Sequence, residues 1–392
     1  MTEKGYEVVK IPAETKMGDF GITLKAVKDV IPAYMHRIFG KIEKLNKIQS
    51  EVFDSIFKSE SNALICAPTG AGKTIIALLA ILRVVNRYCV SDDPENPKIN
   101  LEDFKIVYIA PMKALVNEIV ATLRFRLNCL GVVVSEFTGD SHLSRKEVEL
   151  SNILVCTPEK WDVATRKEDH KIPEDKLKLV IIDEVHLLND GRGPVLETLV
   201  ARLKERIRED EENNQCRMVG LSATLPNYQD VGKFLSVPNK NIFYFDGSFR
   251  PVPLSLEYVG ITERKRFKQM MLTKEILYRK VMERVKHSQI LIFVHSRKNC
   301  LRTGQELKEM AFADDLLSLF VGDLTESKQI LRSQKDSFVN PDLAELIEYG
   351  IGIHHAGLER NDRNLVEDLF ADKHLAVLIS TATLAWGVNL PA

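Results

Sequence analysis

The chain has 392 residues, of which 45% are hydrophobic and 28% charged, and its formal net charge is −1. That length suggests two or three domains with sizeable cores. The charge balance gives no basic signature, although a protein that grips phosphates along one cleft need not be basic throughout. The six cysteines form no CxxC pair, which points to free thiols and no zinc site. No apolar signal segment opens the sequence and no run of about 18 apolar residues offers a membrane span.

In chain order, a lead-in of residues 1–44 precedes a regular alternation. Short runs rich in Val and Ile recur at 63–66, 106–110, 132–137, 153–156, 179–182 and 218–221. Each is followed by a turn and a helix-like stretch, the pattern of parallel strands buried on both faces by helices. Residues 91–100 read as a surface loop. After Asp183, Val195, Leu199, Leu203 and Ile207 share one helix face, and the charged run 204–212 reads as a solvated helix end. Two prolines, Pro251 and Pro253, break the alternation. It resumes with expected strands at 289–294, 350–354 and 376–380. The reading is therefore one α/β lobe over 45–247, a linker over 248–258 and a second lobe over 259–392.

Ala67-Pro68-Thr69-Gly70-Ala71-Gly72-Lys73-Thr74 follows an expected strand and opens an expected helix, the context a phosphate-binding loop needs. Small residues let backbone N–H groups approach phosphate oxygens, and the helix N-terminus favours negative charge. Thr69, Gly70, Gly72, Lys73 and Thr74 are the candidate nucleotide-binding residues. Lys73 would reach the outer phosphates and the Thr74 hydroxyl would ligate Mg2+. Asp183-Glu184-Val185-His186 closes the strand at 179–182, so its acids should stand over the sheet edge beside that loop. Asp183 is the candidate Mg2+ carboxylate and Glu184 the candidate general base for an attacking water. Gln49 lies upstream; its amide either reads an adenine edge or is a plain surface glutamine, and the sequence leaves both open.

These motifs, with Ser222-Ala223-Thr224, resemble the superfamily 2 helicases, and more specifically the Ski2-like DExH group. Further matches follow in order. They are Ala110-Pro111-Met112-Lys113-Ala114-Leu115, Thr138-Gly139-Asp140 and Thr157-Pro158-Glu159-Lys160-Trp161-Asp162. The second lobe adds Phe293-Val294-His295-Ser296-Arg297, His354-His355-Ala356-Gly357 and the run from Ser380 to Pro391. The resemblance covers nearly the whole chain. Within the group, stretches such as Arg192-Gly193-Pro194-Val195-Leu196-Glu197 are most similar to the first cassette of the spliceosomal helicases of the U5 small nuclear ribonucleoprotein. The helicase subunits of the activating signal cointegrator complex are the alternative, and a non-catalytic scaffold is a third reading.

The resemblance implies two tandem RecA-like lobes with parallel sheets covered by helices, the second truncated. It implies an ATP-dependent RNA helicase using ATP and Mg2+ and acting in the nucleus. Its partners would be spliceosomal U5 proteins and a single RNA strand lying across both lobes, with the paired U4/U6 RNAs as substrate. It assigns adenine recognition to Gln49 and coupling of hydrolysis to strand grip to His186, Ser222 and Thr224. Lys113, Thr138, Asp140 and Thr157 would hold the nucleic-acid backbone from lobe one. Ser296, Arg297, His354, His355 and Thr381 fall in the matching motifs of lobe two. Trp386 reads as a core residue. The family's arginine-rich motif is expected beyond Ala392.

Overall fold

The computed structural model describes residues 2–3, 5–14, 21–139, 143–166, 176–209, 216–321 and 326–385. The chain forms two compact units. One runs from Pro12 to Leu256; the other joins the strands Thr2–Glu3 and Tyr6–Ile11 to the chain from Glu257 onward.

The larger unit is organised by a seven-stranded sheet. Its strands are β1 (Ala63–Cys66), β2 (Lys105–Ile109), β3 (Val134–Phe137), β4 (Ile153–Cys156), β5 (Leu177–Ile182), β6 (Arg217–Ser222) and β7 (Ile242–Tyr244). The spatial order is β7-β1-β6-β5-β2-β4-β3, and every neighbouring pair is parallel. Burial on both faces explains the near-continuous apolar runs. Ala63 and Ile65 enter one core cluster, while Leu64 and Cys66 enter the other. The first cluster packs under α1 (Lys47–Phe57), α2 (Lys73–Arg87) and α3 (Lys113–Leu127). The second packs under α4 (Pro158–Arg166) and α5 (Gly193–Glu209). Because the strands all run the same way, the segments that follow their carboxyl ends gather along one edge.

Most strand ends fall within two residues of the sequence reading. The run at 132–137 becomes strand only from Val134, because Val133 instead accepts from the N–H groups of Asn152 and Ile153. The stretch read as a loop over 91–100 begins and ends in the short antiparallel pair Cys89–Ser91 and Lys98–Ile99. Strand β7 was not anticipated; three residues carry no periodicity to detect. A buried arginine ties the unit together. Arg217, at the start of β6, donates to the carbonyls of Ser55, Ile56 and Ser61, which anchors the end of α1 to the sheet.

The smaller unit holds a parallel sheet of β8 (Ile290–Phe293), β9 (Ile351–His354) and β10 (Val377–Ser380) in the order β8-β10-β9. Helices α6 (Arg297–Ala313) and α7 (Arg360–Ala371) help cover it. Tyr6–Ile11 lies between Thr2–Glu3 and the strand Leu256–Ile261 in a separate three-stranded sheet. Asp140 and Trp386 lie outside the described residues.

Candidate active site

Strand β1 runs directly into the glycine-rich loop, and α2 starts at Lys73. Gly70 and Gly72 have φ of 81° and 82°, a left-handed backbone that favours glycine. Gly72 is constrained twice, since a Cβ there would fall 2.3 Å from Gln49 Nε2. Thr69, Gly70 and Thr74 are exposed, so a ligand can reach them. The Lys73 ammonium donates to the Ala67 carbonyl at 3.1 Å, folded over its own loop.

Gln49 is not a surface residue: it is only 5% exposed. It is the third residue of α1 and completes a capping box with Asn46. Its Nε2 donates to the Gly72 carbonyl at 3.2 Å, and Asn46 Nδ2 donates to Ala71 at 2.9 Å. The first turn of α1 thus braces the phosphate loop. The amide keeps one further donor and one further acceptor position for a ligand.

At the end of β5, both Asp183 oxygens are engaged. Oδ2 accepts from the Tyr108 hydroxyl at 2.7 Å and Oδ1 from the Glu184 N–H at 2.9 Å. Burial and the neighbouring Glu184 charge push the Asp183 carboxyl up to about 6, while Tyr108, the Glu184 N–H and Lys73 pull the other way. Burial raises Glu184 as well, again opposed by Lys73. Burial and Lys73 lower His186, against the pull of the Asp183 charge. Lys73 acts on all three, so the sheet has brought the loop lysine to the acidic segment. Glu184 holds a left-handed backbone at φ 51°, uncommon outside glycine and a form of local strain seen at functional sites.

His186 Nδ1 faces two groups. The Ala223 N–H lies at 3.3 Å and Glu184 Oε2 at 3.2 Å. A bare Nδ1 accepts from Ala223; a protonated one donates to Glu184. This ring therefore links the Asp183–His186 segment to Ser222-Ala223-Thr224 after β6. Ser222 Oγ is buried with no hydrogen-bond partner among the described residues.

The donor set suits a hard divalent cation. A carboxylate and a hydroxyl offer oxygen only, and Mg2+ is commonly held by one or two carboxylates plus substrate phosphates and water. Two acids that burial leaves above their ordinary range, Asp183 with the Glu184 charge added, are the groups a cation would relieve.

The residues expected to hold a nucleic-acid backbone sort by unit. In the larger unit, Thr138 is buried and donates to Glu136, and Thr157 accepts from the Lys160 N–H at 3.4 Å. The Lys113 ammonium lies close to Gly139 and the Lys160 ammonium sits 4.7 Å from the Phe137 ring centroid. Arg192 donates to the Pro111 carbonyl and approaches Glu159 at 3.6 Å, tying two of these segments together. In the smaller unit, Ser296 caps α6 through the Asn299 N–H. A Cβ on Gly357 would lie 3.0 Å from Arg297 Nη1 and 3.2 Å from His355 Nδ1, so those three residues converge. Thr381 donates its N–H to the His354 carbonyl at 3.3 Å. His354 itself is buried, with Nε2 2.7 Å from Glu367, which removes it from the exposed set.

Sequence reading missed Tyr108 and Arg192 as members of these networks. Arg192 lies within a stretch already singled out; Tyr108 gave no motif signal.

The model for the DEAD/DEAH box helicase family matches residues 46–231. The chain is 48% identical over 391 residues to the U5 small nuclear ribonucleoprotein 200 kDa helicase of Drosophila melanogaster, covering 99% of this chain and 18% of that protein. It is 47% identical over 393 residues to the activating signal cointegrator 1 complex subunit 3-like protein of Dictyostelium discoideum, covering 99% of this chain and 17% of that protein. The chain thus spans less than a fifth of the length of these relatives. Among solved structures, the DUF1998 helicase MrfA bound to DNA shares the fold, with a TM-score of 0.64, 18% identity, and coverage of 97% of this chain and 48% of that one. The glycine-rich loop, the Asp-Glu-Val-His segment and the Ser-Ala-Thr turn all fall inside the matched span, so residues 46–231 form a DEAD/DEAH box helicase domain, and the chain as a whole is similar to the Ski2-like DExH helicases.

Proposed function

We propose that this chain is the ATP-hydrolysing motor of an RNA helicase, coupling nucleotide turnover to movement along a strand and opening of a duplex. One observation carries the reading. A single sheet edge gathers the phosphate loop, an acidic pair sensing Lys73, and His186 reaching the Ala223 N–H. Gln49 and the loop would seat the nucleotide, Thr74 and Asp183 would hold Mg2+, and Glu184 would take the proton of the attacking water. The metal would supply charge neutralisation at the phosphates. His186, Ser222 and Thr224 would report the state of that site. Lys113, Thr138, Asp140 and Thr157 in one unit, and Ser296, Arg297, His355 and Thr381 in the other, would hold phosphates rather than read bases.

The test is ATP turnover with and without single-stranded RNA. We expect stimulation by RNA, insensitivity to base sequence and a steep loss of binding with salt. Strong dependence on base sequence at fixed salt would overturn the backbone reading. We further propose that residues 248–258 form a linker. Limited proteolysis there should release a lobe-one fragment that still binds nucleotide; failure to obtain one would refute it.

The finer reading is a spliceosomal role in the nucleus, with U4/U6 as substrate and U5 proteins as partners, supported by identity to the Drosophila relative. The cointegrator reading stays beside it, because that relative is nearly as similar. Recovery of U5 proteins rather than ribosomes with the full-length protein decides between them.

A further inference from the structure

Strand β2 reads Lys-Ile-Val-Tyr-Ile and is buried along its length. Ile106, Val107 and Ile109 suit a strand covered on both faces, and Lys105 at its start donates to the carbonyls of Glu149 and Ser151. Tyr108 needs its own account, since a phenylalanine would bury the same ring without taking a hydroxyl out of water. A buried hydroxyl costs free energy unless it is hydrogen-bonded, so its partner matters.

Strand pairing supplies the partner. In the parallel pair of β2 and β5, Tyr108 sits opposite Ile181. Alternation puts Ile181 and Asp183 on the same face, one step along β5. A tyrosine is long enough to reach that diagonal neighbour, and its hydroxyl meets Asp183 Oδ2 at 2.7 Å. The carboxylate is then held from two directions, by Tyr108 on one oxygen and by the Glu184 N–H on the other at 2.9 Å. The backbone adds a third restraint, since the Asp183 N–H donates to the Ile109 carbonyl, also at 2.9 Å, one residue beyond Tyr108.

We infer that Tyr108 is the positioning residue that fixes the Asp183 carboxylate in the orientation needed to take a divalent cation with the nucleotide. The inference rests on the metal role proposed for Asp183. A freely turning carboxylate would have to be ordered on each binding event, and loss of such outer partners typically costs metal sites about 10–100-fold in affinity.

The test is Tyr108→Phe, with Asp183→Asn in parallel, read by binding of a fluorescent ATP analogue with and without Mg2+. In the parent chain, Mg2+ should tighten binding, and Asp183→Asn should remove most of that gain. Tyr108→Phe should leave metal-free affinity within about twofold while raising the Mg2+ concentration for half-effect on the order of 10-fold. The double variant should lose no more than Asp183→Asn alone, because one residue acts through the other. An unchanged Mg2+ requirement in Tyr108→Phe, or losses that simply add, would overturn the inference. So would failure of Tyr108→Phe to fold, which would assign the hydroxyl to the fold. If instead Asp183→Asn left the Mg2+ effect intact, the metal reading itself would be at fault.

Discussion

The two parallel sheets end in different chemistry. At the carboxyl edge of the larger sheet stand two acids, a lysine and hydroxyls, engaged with one another and with backbone groups. At the edge of β8–β10 stand Arg297, His355 and Thr381, and the acid Glu367 is spent on buried His354. Under the proposed function, one edge would handle an anion, a cation and a proton together. The other would offer positive charge and donors to an anion alone. A shared α/β architecture therefore says little about chemistry; the residues at strand ends decide it.

The widest separation should come from Glu184→Gln. Loss of a general base typically slows turnover on the order of 10²–10⁴-fold, with nucleotide binding spared, while Lys73→Ala should weaken binding itself. Steady-state hydrolysis beside a fluorescent-nucleotide titration checks both. A parental rate for Glu184→Gln would remove Glu184 from the mechanism.

Gly72→Ala tests how tightly the larger edge is built. A side chain there must adopt a left-handed backbone and displace the Gln49 amide, a strain of about 1–3 kcal/mol. We expect weaker nucleotide binding and a lower denaturant midpoint. The same change at Gly357, where no positive φ is required, should spare nucleotide binding.

Arg297→Ala addresses the smaller edge. Removing one phosphate contact should lower the slope of log affinity against log salt by about 1 for RNA, leaving ATP affinity unchanged. A loss of ATP affinity of the size seen for Lys73→Ala would break the contrast between the edges.

The smallest effect is expected from Asn46→Ala. The cap of α1 is worth about 1 kcal/mol, and its loss should loosen the Ala71 carbonyl contact. Thermal melting of this variant should show a modest decrease, with a slight rise in nucleotide dissociation constant.

Much of the larger edge was legible because its motifs demand particular residues in a fixed order. Gly70, Gly72 and Lys73 announce a phosphate loop, and Asp183 ends an obvious apolar run. Gln49 was undecided because spacing says nothing of burial; the capping box with Asn46 and the packing of α1 settle where it sits. Tyr108 was invisible for another reason. A tyrosine is an ordinary strand residue, and its partner lies in a strand far off in sequence, so only the register of β2 against β5 brings them together. His354 and His355 looked equivalent as neighbours, yet alternation at the strand end buries the first against Glu367 and leaves the second beside Arg297.

The placement of Tyr6–Ile11 beside Leu256–Ile261 has a consequence for biosynthesis. A ribosome emits the first of these strands and must then make all of Pro12–Leu256 before the second exists. At about 5–20 residues per second that is a wait of roughly 10–50 s. During it the larger unit has every strand it needs, while Tyr6–Ile11 has only Thr2–Glu3 beside it and keeps its other edge open. The order of completion is therefore inverted relative to the order of emergence: the strand made before the larger unit completes its sheet only after it.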